Sequence, residues 1–307
     1  MPRYPRGVSA AMITLYRDNG DVDGAAMTRL GRWLMDQGCT GLLLFGTTGE
    51  GPSISVAEKI ATVLVMIDAG IPPHAIIVGA GAPSLYDVVT LVTALGEMGC
   101  TALVLPPYFF RAAPRDGVLT FMDEVLRRTA KGGAPVFLYH FTEMSTVAVD
   151  TNMMAALIAA HPGRMQGVKD SSGNLASVTS WLQFPELAVF AGDDHLARAL
   201  SEKGGAGVMT ATAGLAPALV KSVLDGHSPA AEARLNSLWQ DVLLTVPVTE
   251  AVKHIFAHVT GDERWLRMRA PLRPLDAPTV RKMLAGFHAT DDGAIAAALQ
   301  AMPSVFS

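Results

Sequence analysis

Cysteine is scarce in this chain, and so are the features that direct a protein to membranes or nucleic acids. The two cysteines among 307 residues, Cys39 and Cys100, argue against a disulfide framework and suit a reducing compartment. A net charge of -4 without a basic stripe does not indicate nucleic-acid binding. The first residues lack the apolar core of a signal peptide, and the uncharged tract at 204–220 is too short and too rich in glycine, threonine and proline for a span. We expect a cytoplasmic protein with no membrane partner and no nucleic-acid partner.

Lysine is also scarce, and one of the seven lysines stands apart from the others. Six lie in or beside helical-looking segments of mixed polarity, whereas Lys169 ends the strand-like run that includes Gly167 and Val168. An amine is nucleophilic when it is neutral, and burial disfavours the ammonium form. We therefore predict that Lys169 forms an imine with a keto acid. The alternative is a lysine that is paired with Asp170 or that caps a loop.

Short apolar runs alternate with helical patterns up to about residue 226. Runs such as 42–45, 75–80 and 102–105 are typical of parallel strands that are covered on both faces. Eight such units predict an α/β fold, a (β/α)8 TIM barrel. A doubly wound open sheet is the alternative, but the first run leads into Tyr16-Arg17-Asp18-Asn19 rather than a phosphate-binding loop.

The pattern changes after residue 226, where helical segments follow one another without strands between them. These segments span 230–245, 249–259, 277–287 and 291–301. We predict a catalytic barrel domain over residues 1–226 and a helical region over residues 227–307 that packs on the barrel.

The carboxyl ends of the predicted strands carry polar side chains, and in such barrels the chemistry lies at these ends. The candidates are Gly46, Thr47, Thr48, Tyr108, Tyr139, Lys169 and Met209. A phenol beside a carbonyl carbon can transfer protons, and a glycine-threonine loop suits a carboxylate. Taken singly, each tyrosine is more simply explained as an edge of the core and the loop as a tight turn, so the prediction depends on their joint placement.

Four of these segments together resemble the motif set of the dihydrodipicolinate synthase / N-acetylneuraminate lyase superfamily. They are Gly46-Thr47-Thr48-Gly49-Glu50, Pro107-Tyr108, Tyr139 and Gly167-Val168-Lys169-Asp170-Ser171. The resemblance implies a (β/α)8 barrel, pyruvate-type Schiff-base chemistry and a homotetramer or dimer of dimers. It implies that Lys169 forms the imine, Tyr139 is the general acid and base, and Thr47 and Thr48 bind the keto acid's carboxylate.

Two positions depart from the synthase pattern. The synthases carry a relay tyrosine where this chain has Phe109, and an arginine that holds a substrate carboxylate where it has Met144. A thioether cannot bind a carboxylate as a guanidinium does. We therefore expect a substrate other than that of dihydrodipicolinate synthase, with its distal end near His140, Glu143, Asp194 or His195.

The predicted function is a Schiff-base-forming lyase, an aldolase acting on pyruvate, a 2-keto-3-deoxy sugar acid or a related hydroxy-keto acid. Its partners would be a small keto acid and an aldehyde, and no cofactor and no metal are expected. The alternatives are a keto-deoxy sugar acid dehydratase, dihydrodipicolinate synthase proper and a non-catalytic barrel that senses a keto acid. The spacing of Glu250, His254 and His258 can bind a metal, but a solvated or interface face is the preferred interpretation.

Overall fold

Eight parallel strands pair in chain order and close into a barrel, because the first strand also pairs with the eighth. The computed structural model describes residues 4–107, 113–226 and 228–306. The strands are β1 (Gly7–Ala11), β2 (Gly41–Leu44), β3 (Ile76–Gly79), β4 (Thr101–Val104), β5 (Val136–His140), β6 (Met165–Asp170), β7 (Ala188–Ala191) and β8 (Gly207–Thr210). The predicted (β/α)8 barrel is confirmed.

Helices follow the strands and cover the outside of the barrel. They are α1 (Gly24–Asp36), α2 (Val56–Asp68), α3 (Leu85–Met98), α4 (Arg115–Arg128), α5 (Thr142–Ser145), α6 (Thr151–Ala160), α7 (Leu175–Ser180), α8 (Ala197–Glu202), α9 (Ala211–Leu215) and α10 (Pro217–Asp225). Ser55 and Glu58 have the spacing that predicts a capping box, and the box forms before α2, since Ser55 Oγ accepts from Glu58 N and the Glu58 carboxylate accepts from Ser55 N. The short helices α5 and α7 are too brief to show a helical period, and the sequence pattern does not predict them.

The strands are buried on both faces, and their side chains divide between two apolar clusters. One cluster fills the inside of the barrel and includes Leu43, Ile77, Phe137, Tyr139, Phe190 and Met209. The other lies between the strands and the helices and includes Leu42, Val78, Leu138 and Val168. Successive strand residues point to opposite faces, so Tyr139 points into the barrel while its neighbours on β5 point toward the helices.

Two strand ends differ from the prediction, and both lie at the mouth of the barrel. The apolar run predicts a first strand over residues 8–15, whereas β1 ends at Ala11. Beyond it the chain stays buried but turns under the glycine-threonine loop, where Thr14 Oγ1 donates to Gly49 O at 2.5 Å. The apolar run predicts a sixth strand over residues 165–168 with Lys169 directly at its end, whereas β6 continues to Asp170. Lys169 is therefore held by the sheet itself.

Helices without intervening strands continue the chain after α10. They are α11 (Pro229–Ser237), α12 (Val248–Thr260), α13 (Ala277–Thr290) and α14 (Ala294–Gln300). The predicted helix over 230–245 loses its α-helical form after Ser237, in a π-helical turn and then a 3-10 turn. The last helix begins at Ala294 rather than 291, because the Asp291 carboxylate accepts from two backbone N–H groups of its first turn. The division into domains at 226/227 stays a prediction.

Within the described ranges, no single helix is long and apolar enough to cross a membrane. The segments Pro229–Thr245 and Val248–Thr260 meet the length and composition criteria only as a pair, which is bent by 106°.

Candidate active site

Lys169 and Tyr139 are register partners on adjacent strands. They face each other across β5 and β6, so both side chains point the same way, toward the inside of the barrel mouth. The Lys169 ammonium nitrogen lies 4.3 Å from the centroid of the Tyr139 ring. Both side chains are buried, with 4% of Lys169 and 3% of Tyr139 exposed. The predicted amine and phenol are thus in contact.

Lys169 differs from the other buried lysines in what surrounds its amine. Lys59 donates to Gly79 O at 2.9 Å, and Lys253 forms a buried ion pair with Glu50. Across the described part of the chain, Lys169 alone among these three has no hydrogen-bond acceptor and no ion-pair partner. An amine without an acceptor is free to meet a substrate carbon.

Asp170 does not pair with its neighbour Lys169. Its carboxylate points toward the helices and accepts from Trp181 Nε1 and Ser177 Oγ, both at 2.7 Å, and from Ser172 N at 2.9 Å. These three bonds satisfy the buried charge. The alternative interpretation, in which Lys169 is paired with Asp170, is therefore wrong, because strand alternation sends the two side chains to opposite faces.

The Tyr139 hydroxyl lies between two aliphatic hydroxyls. Thr47 Oγ1 is 3.5 Å from it, and Ser171 Oγ is 3.4 Å from it. Thr47 was among the predicted site residues, whereas Ser171 was not. The signal for Ser171 is its position two residues after Lys169, which points its side chain the same way if the strand geometry continues.

Gly192 makes room for this group at the end of β7. A Cβ atom at this position would lie 1.8 Å from Ser171 Oγ and 3.1 Å from Lys169 Cε. Any side chain at position 192 would therefore displace the serine hydroxyl and press on the amine. Position 192 directly follows β7, so this glycine lies at the carboxyl end of the strand, beside Ser171 and Lys169.

The glycine-threonine loop turns sharply beside the phenol. Phe45 and Glu50, which flank it, have positive φ angles of 55°, and Gly51 N closes the turn on Gly46 O at 3.0 Å. Thr48 is nearly buried, and its carbonyl oxygen accepts from Thr249 Oγ1 of α12 at 3.0 Å. A cavity of about 540 Å³ opens against Gly46, Thr47 and Tyr139, and its lining includes neither Thr48 nor Lys169. A small carboxylate can thus approach the Thr47 hydroxyl.

The loop after β7 brings carboxylates to the same mouth. Burial raises the pKa of the Asp193 carboxyl, and the nearby charges of His195 and Lys169 oppose that shift. Asp193 also accepts from Gly173 N at 3.2 Å, and His195 Nε2 lies 3.2 Å from Gly173 O. Asp193 is therefore the carboxylate of this loop that interacts electrostatically with the Lys169 amine. It was not among the site residues predicted from the sequence.

Asp194 is buried beneath this loop rather than displayed at the mouth. Burial raises the pKa of its carboxyl to about 6, although the hydroxyls of Thr212 and Thr210 counteract the shift. Neither carboxylate oxygen has a hydrogen bond of regular geometry within the described residues. A buried carboxyl in such surroundings retains its proton more readily than an exposed one.

The other predicted substrate contacts differ in how deeply they are buried in the barrel. Met209 is fully buried in the inner cluster, and Glu143 is exposed on α5, next to the end of β5. His140 points toward the helices, where its ring lies 5.8 Å from that of Trp181, so the structure does not bring it together with Lys169. Tyr108 lies outside the described residues.

The face of α12 that carries Glu250, His254 and His258 packs partly against the rest of the protein. Glu250 and His254 are buried, whereas His258 is exposed, and His254 Nε2 accepts from Leu275 N at 3.0 Å. Burial also lowers the pKa of His254. Residues 4–107, 113–226 and 228–306 contain no group of three histidine, cysteine or acidic side chains arranged to hold a metal ion.

Comparison with known proteins places the chain in a family. A model described as the dihydrodipicolinate synthetase family matches residues 4–287.

An uncharacterized DapA-like lyase from Chloroflexus aurantiacus is 34% identical over 294 residues, or 92% of this chain and 96% of that protein. The crystal structure of dihydrodipicolinate synthase from Agrobacterium tumefaciens str. C58 is 31% identical, with a TM-score of 0.86 over 92% of this chain and 99% of that one. A variant of Sulfolobus solfataricus 2-keto-3-deoxygluconate aldolase shares the fold alone, at 18% identity and a TM-score of 0.78 over 92% of this chain and 95% of the other. The chain belongs to the dihydrodipicolinate synthetase family.

Proposed function

We propose that this protein is a lyase in which Lys169 forms a Schiff base with a 2-keto acid. The observation that carries the proposal is the buried amine of Lys169, free of any acceptor in the described residues, 4.3 Å from the ring centroid of Tyr139. A nucleophile held beside a proton-transfer group is the arrangement that imine formation requires. The family membership supports it, because two matched relatives are named as a lyase and a synthase.

The proposed reaction uses three groups of this chain. Thr47 and Thr48 hold the C1 carboxylate, and the Lys169 amine attacks the keto carbon. Tyr139 gives a proton to the departing hydroxyl, which leaves as water, and a protonated imine remains. When the bond between C3 and C4 breaks, its electron pair moves into the imine and forms an enamine. The C4 hydroxyl gives its proton to the Tyr139 phenolate and becomes an aldehyde, and the imine is the electron acceptor.

The proposed substrate is pyruvate, a 2-keto-3-deoxy sugar acid or a related hydroxy-keto acid. The segment after β5, residues 141–147, contains neither lysine nor arginine, and Met144 is 54% exposed on it. A substrate with a second carboxylate would find no cation on this segment, whereas hydroxyl groups could bond to Glu143 or Asp193. These residues favour a polyhydroxylated distal end.

The test is reductive trapping of the imine. Wild-type protein treated with pyruvate and borohydride should gain the mass of one reduced adduct, and peptide mapping should locate it at Lys169. Lys59 is the internal competitor, because burial lowers its pKa to about 8 and leaves it partly neutral. Lys169→Arg should abolish the adduct. Modification of Lys59 instead, or full turnover by Lys169→Arg, would overturn the proposal.

Product analysis separates the proposed aldolase from its alternatives. A panel of 2-keto-3-deoxy acids should yield pyruvate and an aldehyde with an aldolase, and a longer dioxo acid with a dehydratase. Pyruvate with aspartate semialdehyde tests dihydrodipicolinate synthase activity directly. Binding of a keto acid with neither adduct nor product would indicate a sensing protein.

A further inference from the structure

We propose that Ser171 is a positioning and proton-relay residue that connects the Tyr139 phenol to water. This inference rests on the proposed function, since it assigns a second hydroxyl to the same imine chemistry. Its basis is the 3.4 Å separation between Ser171 Oγ and the Tyr139 hydroxyl, together with the space that Gly192 leaves for the serine side chain.

The sheet holds Ser171 although it lies one residue beyond β6. Ser171 N donates to His140 O at 2.8 Å, which continues the ladder between β5 and β6. Alternation along an extended strand then sends the side chains of Lys169 and Ser171 to the same face. The serine hydroxyl reaches the phenol from a rigid element, so its position does not depend on a mobile loop.

The two hydroxyls beside the phenol have different surroundings. Thr47 borders the cavity in which the proposed substrate carboxylate would bind, and a bound carboxylate would engage its hydroxyl. Ser171 is half-buried, and within the described residues its hydroxyl has no side-chain partner other than Tyr139. Ser171 is therefore the hydroxyl that remains available to carry protons while the substrate is bound.

Neighbouring serines show that this role is specific to one position. Ser172 Oγ accepts from Asn174 N at 3.3 Å and shapes the turn, and Ser177 Oγ donates to Asp170 on the helix side. Neither contacts the phenol. The glycine at position 192 leaves the Ser171 hydroxyl free to reach the phenol, because a Cβ there would come within 1.8 Å of Ser171 Oγ.

The relay moves one proton at each step. In imine formation the phenol of Tyr139 protonates the departing hydroxide, which leaves as water, and becomes a phenolate. In enamine formation this phenolate removes a C3 proton and becomes a phenol again. The phenol passes that proton to Ser171 Oγ as Ser171 releases its own proton to a water molecule at the mouth, and a solvent proton returns to the phenol along the same path. Without the serine hydroxyl, the abstracted proton stays on the phenol and returns to the same carbon.

This consequence gives a test that needs no knowledge of the aldehyde substrate. Wild-type protein with pyruvate in D2O should exchange the pyruvate methyl protons, which proton NMR follows as loss of the methyl signal. Ser171→Ala should form the same borohydride-trapped adduct at Lys169, yet exchange the methyl protons about 100-fold more slowly, the lower end of the range for proton-transfer catalysis. Ser172→Ala, the matched control, should exchange at the wild-type rate.

A buffer series separates a relay from a purely structural effect. Imidazole should accelerate exchange by Ser171→Ala in proportion to its concentration and leave the wild-type rate unchanged, because a small base replaces the missing hydroxyl. Gly192→Ala, which crowds the same hydroxyl, should also slow exchange. If Ser171→Ala is trapped and exchanges at the wild-type rate, or if imidazole does not restore its exchange, the relay is wrong. If the wild type forms no adduct, the proposed function itself fails.

Discussion

The Lys253 ammonium lies 2.5 Å from Glu50 Oε1, and solvent reaches neither side chain. Glu50 ends the glycine-threonine loop, and Lys253 lies on α12, 203 residues away in the chain. The second carboxylate oxygen accepts from the Tyr16 hydroxyl at 3.1 Å and from Arg269 N at 3.4 Å. Burial lowers the pKa of Lys253, while Glu50 raises it and opposes that shift. The helical region after the barrel thus anchors the loop that carries Thr47.

Removing Lys253 should destabilise the fold strongly. Lys253→Met leaves the Glu50 carboxylate buried without its cation, and breaking such a pair costs about 3–5 kcal/mol of unfolding free energy. Urea unfolding measures the change. Lys221→Met, which removes an exposed pair with Asp225, should have little effect.

The paired variant distinguishes lost charge compensation from lost packing. Glu50→Gln combined with Lys253→Met removes both charges, and we expect it to be more stable than Lys253→Met alone. A double variant that is less stable than the single one would contradict the interpretation that an uncompensated charge causes the loss.

The hydrogen bond from Thr249 should affect binding of the keto acid rather than the chemistry. Thr249→Val removes the donor to Thr48 O and loosens the loop, at a cost of about 1 kcal/mol for one hydrogen bond. We expect KM for the keto acid to rise about 5-fold with kcat nearly unchanged. Steady-state kinetics checks this. Thr260→Val on the same helix, whose hydroxyl donates to the local Phe256 O, is the control and should leave KM unchanged. A fall in kcat at constant KM would contradict it.

Asp194 should make the stability of the protein depend on pH. Its pKa of about 6 in the folded protein lies above the value of about 4 for an unfolded aspartate, so the folded state binds more protons between these values. The contribution of Asp194 to wild-type stability therefore falls as pH rises from about 4 to 6. Asp194→Asn cannot lose stability in this way. The difference in unfolding free energy between the variant and the wild type should therefore increase from about pH 4 to 6 and stay constant above that. Urea midpoints at pH 4, 5, 6 and 7 measure it, and an unchanged difference would contradict the assignment.

Most of the barrel could be predicted because the signals are local. Short apolar strands and helical periods repeat along the chain, and a capping box such as that of Ser55 and Glu58 involves residues three apart. The errors occurred where tertiary contacts override the local pattern. The helix predicted over 230–245 loses its α-helical form after Ser237, and β6 extends through Lys169 because β5 and β7 offer it partners.

The sequence by itself determined the alternation of strands and helices and the unusual position of Lys169, because periodicity and residue type are properties of neighbouring residues. Only the tertiary structure decided which hydroxyls meet the phenol. Tyr139 is 92 residues from Thr47 and 32 from Ser171, and their distances follow from barrel closure and strand register. The same holds for Glu50 and Lys253, whose pairing requires the helical region to pack against the loop.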